Sequence, residues 1–249
     1  MYLTNKKQYF SQSAIHDAIK YVQSKWPEES GGIIVEEEFV PIENSATDLI
    51  NNYEINNADF DRLYRDGDIQ CVIHSHETGS HFALASFEDQ QRQIELDIPC
   101  GIVSMKNKSV THVIFWGDQL PLEPVLKRQF FYGIWDCYGL CRDYIRQNMR
   151  FTPPNKPREF VFWHTKIDFM GTTMDSMPFI KIPLEEVQPN DFILYNIKGT
   201  TNVNHCAVNL ENGVLHHFFG QISRILPRSS HKIYARYAVR HNPEWEGYK

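Results

Sequence analysis

Two sets of side chains in this sequence have the types and spacing that chemistry needs. In "VIHSHETGSHFALASFED", His74 and His76 stand two apart at the end of an apolar run, and Ser86 and Asp89 follow. On a strand, residues two apart present their side chains on one face, with Ser75 turned the other way. A catalytic zinc ion takes three protein ligands and keeps a fourth position for water. Asp89 supplies the third ligand if the intervening loop folds back. Glu29, just ahead of "SGGIIV", is a carboxylate suited to act as general base on a bound water. The same residues have a plainer reading. S-x-x-D is a capping box that satisfies free N–H groups at a helix start, and paired histidines at a strand end are common on surfaces.

The second set is built around a thiol. Cys137 in "FYGIWDCYGLCRDY" begins an expected helix, where free N–H groups and the helix dipole lower a thiol pKa. Asp136 is the expected N-cap, and Cys141, one turn on, reads as a packed cysteine. A nucleophilic cysteine needs a base, and the base an orienting partner. "HCAVNLENGVLHHFF" offers both. With Asn212 and Gly213 as a two-residue hairpin turn, Glu211 pairs with Val214 and Asn209 with His216. Alternation along the strands then puts His205, Ala207, Asn209 and His216 on one face and His217 on the other. Against this stand a structural cysteine and an edge hairpin carrying surface histidines.

These residues need elements to hold them. Residues 13–25 read as an amphipathic helix, with Ile15, Ala18, Ile19 and Val22 at helical spacing. "GGIIVEE" and "FVPI" read as strands, "DIQCVIHSH" as a buried strand, and Ser86 as the start of a helix reaching Gln93 or beyond. "GIVSM" and "THVIFWG" return to strand, completing an α/β unit near Trp116. "GDQLPLEP", punctuated by glycine and two prolines, is the linker. The pattern then restarts with the helix "DCYGLCRDYIRQNM", the loop "TPPNKPRE", and the strands "DFILYNI", "HCAVNLENGVLHHFF" and "YARYAVR". A helix on a small antiparallel sheet is an α+β arrangement. The expected domains are 1–119 and 120–249.

Composition sets the outer limits. The 249 residues are 42% hydrophobic and 13% aromatic, ample for packed cores and far from a disordered composition. A net charge of −6 without a lysine or arginine block lacks the footprint of a nucleic-acid binder. No apolar run approaches the roughly 20 residues that span a bilayer, and the N-terminus lacks the apolar core of a secretory signal. The expectation is a soluble protein folded in the cytoplasm where it is made. Five cysteines make a disulfide framework improbable, so cysteine chemistry would be that of a single thiol.

The two motif sets also resemble known families. The glutamate of "EESGGIIV", the H-x-H and the S-x-x-D follow the order of the JAMM (MPN-type) metalloproteases. The stretch "PIENSATDLINNYEINNADFDRLYRDGDIQCVIHSH" is similar to their bacterial and phage branch. The resemblance implies Zn2+ bound by His74, His76 and Asp89. It makes Glu29 the general acid/base, with Glu28 the alternative one residue earlier, and Ser86 the hydroxyl beside the oxyanion or water. Two departures stand out: Glu77 replaces a customary proline, and the stretch from His76 to Ser86 is longer than usual.

"DCYGL", "EEVQPNDFILYN" and "HCAVNLENGVLHHF" are similar to the NlpC/P60 cysteine peptidases, a papain-like fold whose members cleave short peptides of bacterial cell walls. That likeness implies Cys137 as nucleophile, His205 as base, His216 as orienting residue and Tyr132 as a lining of the substrate pocket. "QPND" stands where the family has P-G-D, with Asn190 in place of glycine, and asparagine tolerates the left-handed backbone. The two domains in this order resemble the tail tip assembly family of long-tailed phages, the lambda K type. This implies peptidoglycan peptides and other tail tip proteins as partners, and a place in the virion or in the host cytoplasm during assembly.

Overall fold

Helix α1 (Gln12–Lys25) starts at Ser11, whose hydroxyl accepts a hydrogen bond from the Ala14 amide. Its residues Ala14, Ile15, Ala18, Ile19 and Val22 are all buried, the stripe that helical spacing requires. They join Ile34, Cys71, Ile73, Val103, Val113 and Phe115 in one apolar core, where each buried isoleucine or valine contributes about 1.5–3 kcal/mol. The computed structural model describes residues 8–56, 58, 60, 69–77, 85–149, 151–159, 168–197 and 200–244. His81 and most of the stretch between His76 and Ser86 lie outside them.

The sheet under α1 contains β1 (Gly31–Val35), β2 (Glu38–Ile42), β3 (Ile69–Glu77), β4 (Cys100–Lys106) and β5 (Ser109–Trp116), in the order β2-β1-β3-β4-β5. Glu36 and Glu37 take left-handed φ values of 50 and 64°, the conformation of a tight two-residue hairpin turn between β1 and β2. β3 and β4 are parallel and are joined through α2 (Phe87–Leu96), as a parallel pair requires a crossover. The other neighbours run antiparallel.

The chain divides into two compact units, Met1–Glu123 and Pro124–Lys249. The sequence-based division lies after residue 119. The Tyr9 hydroxyl donates to the Pro121 carbonyl at 3.1 Å and to Glu123 Oε1 at 2.7 Å. Those bonds hold the proline-punctuated stretch on the first unit.

The second unit contains α3 (Cys137–Asn148), α4 (Phe169–Asp175), β6 (Phe179–Ile182), β7 (Phe192–Tyr195), β8 (His205–Leu210), β9 (Gly213–His216), β10 (Arg224–Leu226) and β11 (Ala235–His241). Its sheet has the order β10-β9-β8-β7-β11-β6, with every pair antiparallel. α3 packs on β8. The sequence reading missed α4, β6 and β10, which are only three to seven residues long and carry too little periodicity to stand out. Asn190 has φ 76°, so the turn before β7 uses the left-handed backbone that asparagine was expected to tolerate. Among the described residues no helix is long and apolar enough to cross a membrane.

Candidate functional site

The register of β1 on β3 assembles the first site. Gly31 pairs with His74 in an antiparallel ladder. Continued one step, this sets Ser30 opposite Ser75. The Ser75 amide donates to Ser30 O at 2.9 Å, and the Ser30 amide to Ser75 Oγ at 3.1 Å. One step further, Glu29 stands opposite His76. Cross-strand partners share a face, so Glu29 joins the histidines and Glu28 is turned away from them. Glu29 Oε1 lies 3.9 Å from His76 Nε2.

α2 brings the third group. The Ser86 hydroxyl accepts from the Asp89 amide at 3.0 Å, and the Ser86 amide donates to Asp89 Oδ2 at 2.8 Å, a complete capping box. The box does not exhaust Asp89. Its Oδ1 lies 3.2 Å from His74 Nε2 and its Oδ2 lies 3.4 Å from His76 Nε2. The two Nε2 atoms are 2.9 Å apart. A tetrahedral zinc with bonds of about 2.0–2.1 Å sets its ligand atoms about 3.4 Å apart. The three donors therefore already stand close to the spacing of three corners of such a polyhedron. Among the described residues they are the one group of histidine, cysteine and acidic side chains so placed. Imidazole with carboxylate is a donor set that zinc accepts.

Electrostatics mark the same cluster. Burial pushes Glu29 up to about 7, a rise that Asp89 and Asp48 add to and His74 opposes. Burial alone would lower His74, but Asp89 and Glu29 outweigh it and the group is raised. Asp89 is held well below the usual carboxylate range because His74, His76 and the Ser86 bond outweigh its burial. The Ser86 hydroxyl uses a lone pair in the cap and keeps its proton to donate. Where proline was expected, Glu77 accepts from Trp26 Nε1 at 2.8 Å and from the Asn107 amide at 3.1 Å. The end of β3 is thus held by side-chain bonds.

The loop from Asn44 to Tyr53 was not foreseen as part of the site. Tyr53 stacks on the His74 ring, with centroids 5.4 Å apart and planes at 13°. Asn44 Nδ2 donates to Glu29 O at 2.8 Å. The sequence signal was faint, an asparagine and an aspartate of turn-forming type in "ENSATD".

In the second unit, the hairpin turn falls at Glu211 and Asn212, and the pairs are Leu210–Gly213, Asn209–Val214 and Val208–Leu215. This corrects the expected pairs of Glu211 with Val214 and Asn209 with His216. The ladder is displaced by two residues, which preserves side-chain parity. His205 and His216 consequently still share a face, and His205 Nε2 lies 3.0 Å from His216 Nδ1. Both stack on Phe218, with centroids 4.6 and 4.8 Å away. Burial drives both histidines well below their ordinary range, His216 to about 3.

Cys137 is elsewhere. Asp136 caps α3 by accepting from the Gly139 amide at 2.9 Å, as expected, but the Cys137 thiol lies against Cys206. Cys206 follows His205 in β8, so the two side chains leave the strand on opposite sides. Among the described residues no hydrogen bond joins the Cys137 thiol to His205 or His216. The expected lowering of the thiol pKa is also reversed. The bond to Cys206 and burial, with the Asp136 charge, push Cys137 well above its ordinary value and overcome the helix dipole. Cys141 bonds to Cys206 as well.

Tyr132 is buried, and its hydroxyl donates to the Glu159 carbonyl. His217 occupies the α3 side of the sheet, edge-on to Phe130 at 5.1 Å. Its ring nitrogens make no standard hydrogen bond among the described residues. Backbone groups of Arg128 and Asp136 lie close enough to favour its charged form, yet burial still draws it down to about 4.

No family model matches the chain. It is 27% identical over 164 residues to tail tip assembly protein K of Escherichia phage lambda, covering 64% of this chain and 74% of that protein. It is 22% identical over 223 residues to tail tip assembly protein K of Escherichia phage N15, covering 87% of this chain and 88% of that protein. The chain is thus similar over most of its length to phage tail tip assembly proteins, and these two likenesses support that family for it.

Proposed function

We propose that this protein acts in phage tail tip assembly, alongside other tail proteins, and that its N-terminal unit hydrolyses a peptide or isopeptide bond with a zinc ion. The tail role is supported by the two relatives. The hydrolytic role is carried by the convergence of His74, His76 and Asp89 at metal-ligand spacing with Glu29 beside them. Held by those three side chains, zinc would supply Lewis acidity and a water of lowered pKa. Glu29, raised by burial to about 7, is suited to take a proton from water and return it to a leaving amine near neutral pH. The Ser86 O–H, at the mouth of the capping box, is a donor for a developing oxyanion.

Metal analysis of the purified chain tests this reading. About one zinc per chain, lost in His74→Ala and in Asp89→Ala, is the expected result, and a chain that retains no zinc at neutral pH refutes it. A phage carrying His74→Ala with His76→Ala separates the substrates. A tail protein that fails to shorten identifies an assembly protease.

We also propose a second activity in the C-terminal unit, cleavage of a peptide bond by cysteine attack, supported by the His205–His216 pair at 3.0 Å. Peptidoglycan stem peptides are the substrate that the resemblance to NlpC/P60 peptidases implies. His216 would orient His205, which would take the Cys137 proton and pass it to the departing amine. The sulfur would attack the carbonyl carbon, and water would then release the thioester as acid and thiol. Because Cys206 and His205 leave β8 on opposite sides, this chemistry requires a backbone shift that brings the Cys137 thiol from Cys206 to His205, beyond a turn of the side chain. Soluble peptide released from peptidoglycan, and lost in Cys137→Ala, supports it. No release by the unmutated protein leaves the unit as a binding module of the tail tip.

A further inference from the structure

We propose that the loop from Asn44 to Tyr53 is the positioning element of the metal site, fixing the His74 ring through Tyr53 and the Glu29 backbone through Asn44. The inference rests on the zinc reading above.

Asn44 is the centre of the loop. Its Nδ2 donates to Glu29 O at 2.8 Å and to Asn52 O at 2.7 Å. Its Oδ1 accepts from the Ala46 amide at 3.0 Å and the Glu54 amide at 3.1 Å. Two donors and two lone pairs are the full capacity of a side-chain amide. The Ser45 amide and hydroxyl both reach Glu54 O, at 2.9 and 3.0 Å, which closes the base of the loop. The loop also grips Glu29 from its other side, because the Glu29 amide donates to Leu49 O at 2.7 Å. With both sides of its backbone held, Glu29 keeps only side-chain freedom beside His76.

Tyr53 closes the same loop on His74. Its ring lies nearly parallel to the imidazole, and its hydroxyl donates to Ile42 O at 3.3 Å, which ties the ring to the end of β2. The terminal torsion of a histidine is broad rather than sharply staggered. A stacked ring on one face narrows it. His76 meets the His74 ring at 4.8 Å and 61°, a tilted neighbour that leaves the Tyr53 side as the flat support. Groups that orient a metal ligand in this way affect metal affinity by about 10–100-fold.

The test uses the full-length chain and zinc affinity, measured by competition with a chromophoric chelator at fixed pH. Tyr53→Leu, which fills the space without a ring face, is expected to weaken zinc by about tenfold or more. Tyr53→Phe keeps the ring and should stay near the unmutated affinity. Asn44→Ala should weaken zinc through the same loop, so the double variant should bind little more weakly than Tyr53→Leu alone. Unfolding in excess chelator checks that each variant is folded, and Asn44→Ala carries the test if Tyr53→Leu is not. Unchanged affinity in the folded variants, or fully additive losses, overturns the role of the loop while leaving the metal site standing. A parent chain that binds no zinc overturns both.

Discussion

Gly31 offers the sharpest perturbation of the first site. A Cβ added there would stand 2.2 Å from Ile73 O and 2.7 Å from both Cα and Cβ of His74. A carbon beside a carbonyl oxygen needs about 3.3 Å, so Gly31→Ala forces β1 off β3 by about 1 Å. Functional sites tolerate about 0.5 Å of misplacement, and Glu29 lies two residues upstream on the displaced segment. Overpacking of this kind destabilises by about 1–3 kcal/mol. The diagnostic quantity is how far zinc stabilises the fold. At zinc 100-fold above its Kd, binding adds about 2.7 kcal/mol, about 10 °C in the melting of a unit this size. A tenfold weaker site at the same zinc retains only about 1.4 kcal/mol. Differential scanning calorimetry with and without zinc should therefore show the zinc-induced rise at least halved in Gly31→Ala. Gly32→Ala is the control, since its Cβ meets Val40 O at 2.1 Å and the Phe39 ring at 2.9 Å, on the β2 side. It should lower the melting temperature yet keep the rise. A Gly31→Ala protein with the full rise would refute the argument that this close approach sets the geometry of the site.

Three further outcomes are expected. Burial holds His216 near 3 and His217 near 4, so below about pH 6.5 the unfolded chain takes up protons that the folded unit does not. Stability present above pH 6.5 is then lost as the pH falls towards 4, by about 2 kcal/mol per histidine between pH 7 and pH 5. Urea unfolding of the C-terminal unit at the two pH values measures it, and a flat profile contradicts the burial. Arg158 Nε and Nη2 bind Asp136 Oδ2 and Oδ1 at 2.6 and 2.8 Å, with both residues buried. Arg158→Met should strand that carboxylate and destabilise by about 3–5 kcal/mol in chemical denaturation, and a loss under about 1 kcal/mol would show water reaching the site. Asn190→Ala should cost about 1–2 kcal/mol more than Asn190→Gly, because only glycine accepts φ 76° without a Cβ penalty. Both lose the bond from the Tyr144 hydroxyl, so equal unfolding energies would place the effect in that bond.

Local rules determined much of this molecule from sequence alone. The stripe of Ile15, Ala18, Ile19 and Val22 specified α1, because burial of one helical face depends only on spacing. The alternation of His74 and His76 specified their common face, and S-x-x-D specified the cap of α2. Even the pairing of His205 with His216 was legible. It depends on parity, and the two-residue displacement of the hairpin preserved it.

What the tertiary structure alone decided lies across long separations in the chain. Glu29 rather than Glu28 faces the histidines because Gly31 pairs with His74, a register that no local pattern encodes. Tyr53 reaches His74 through a loop closed by Asn44, and Asp89 serves as cap and ligand-spaced carboxylate at once. Cys137 faces Cys206 instead of His205 because α3 packs on one side of β8 and consecutive strand residues point to opposite sides. Sequence spacing fixed which residue types were available; only the packing of helix on sheet decided which of them meet.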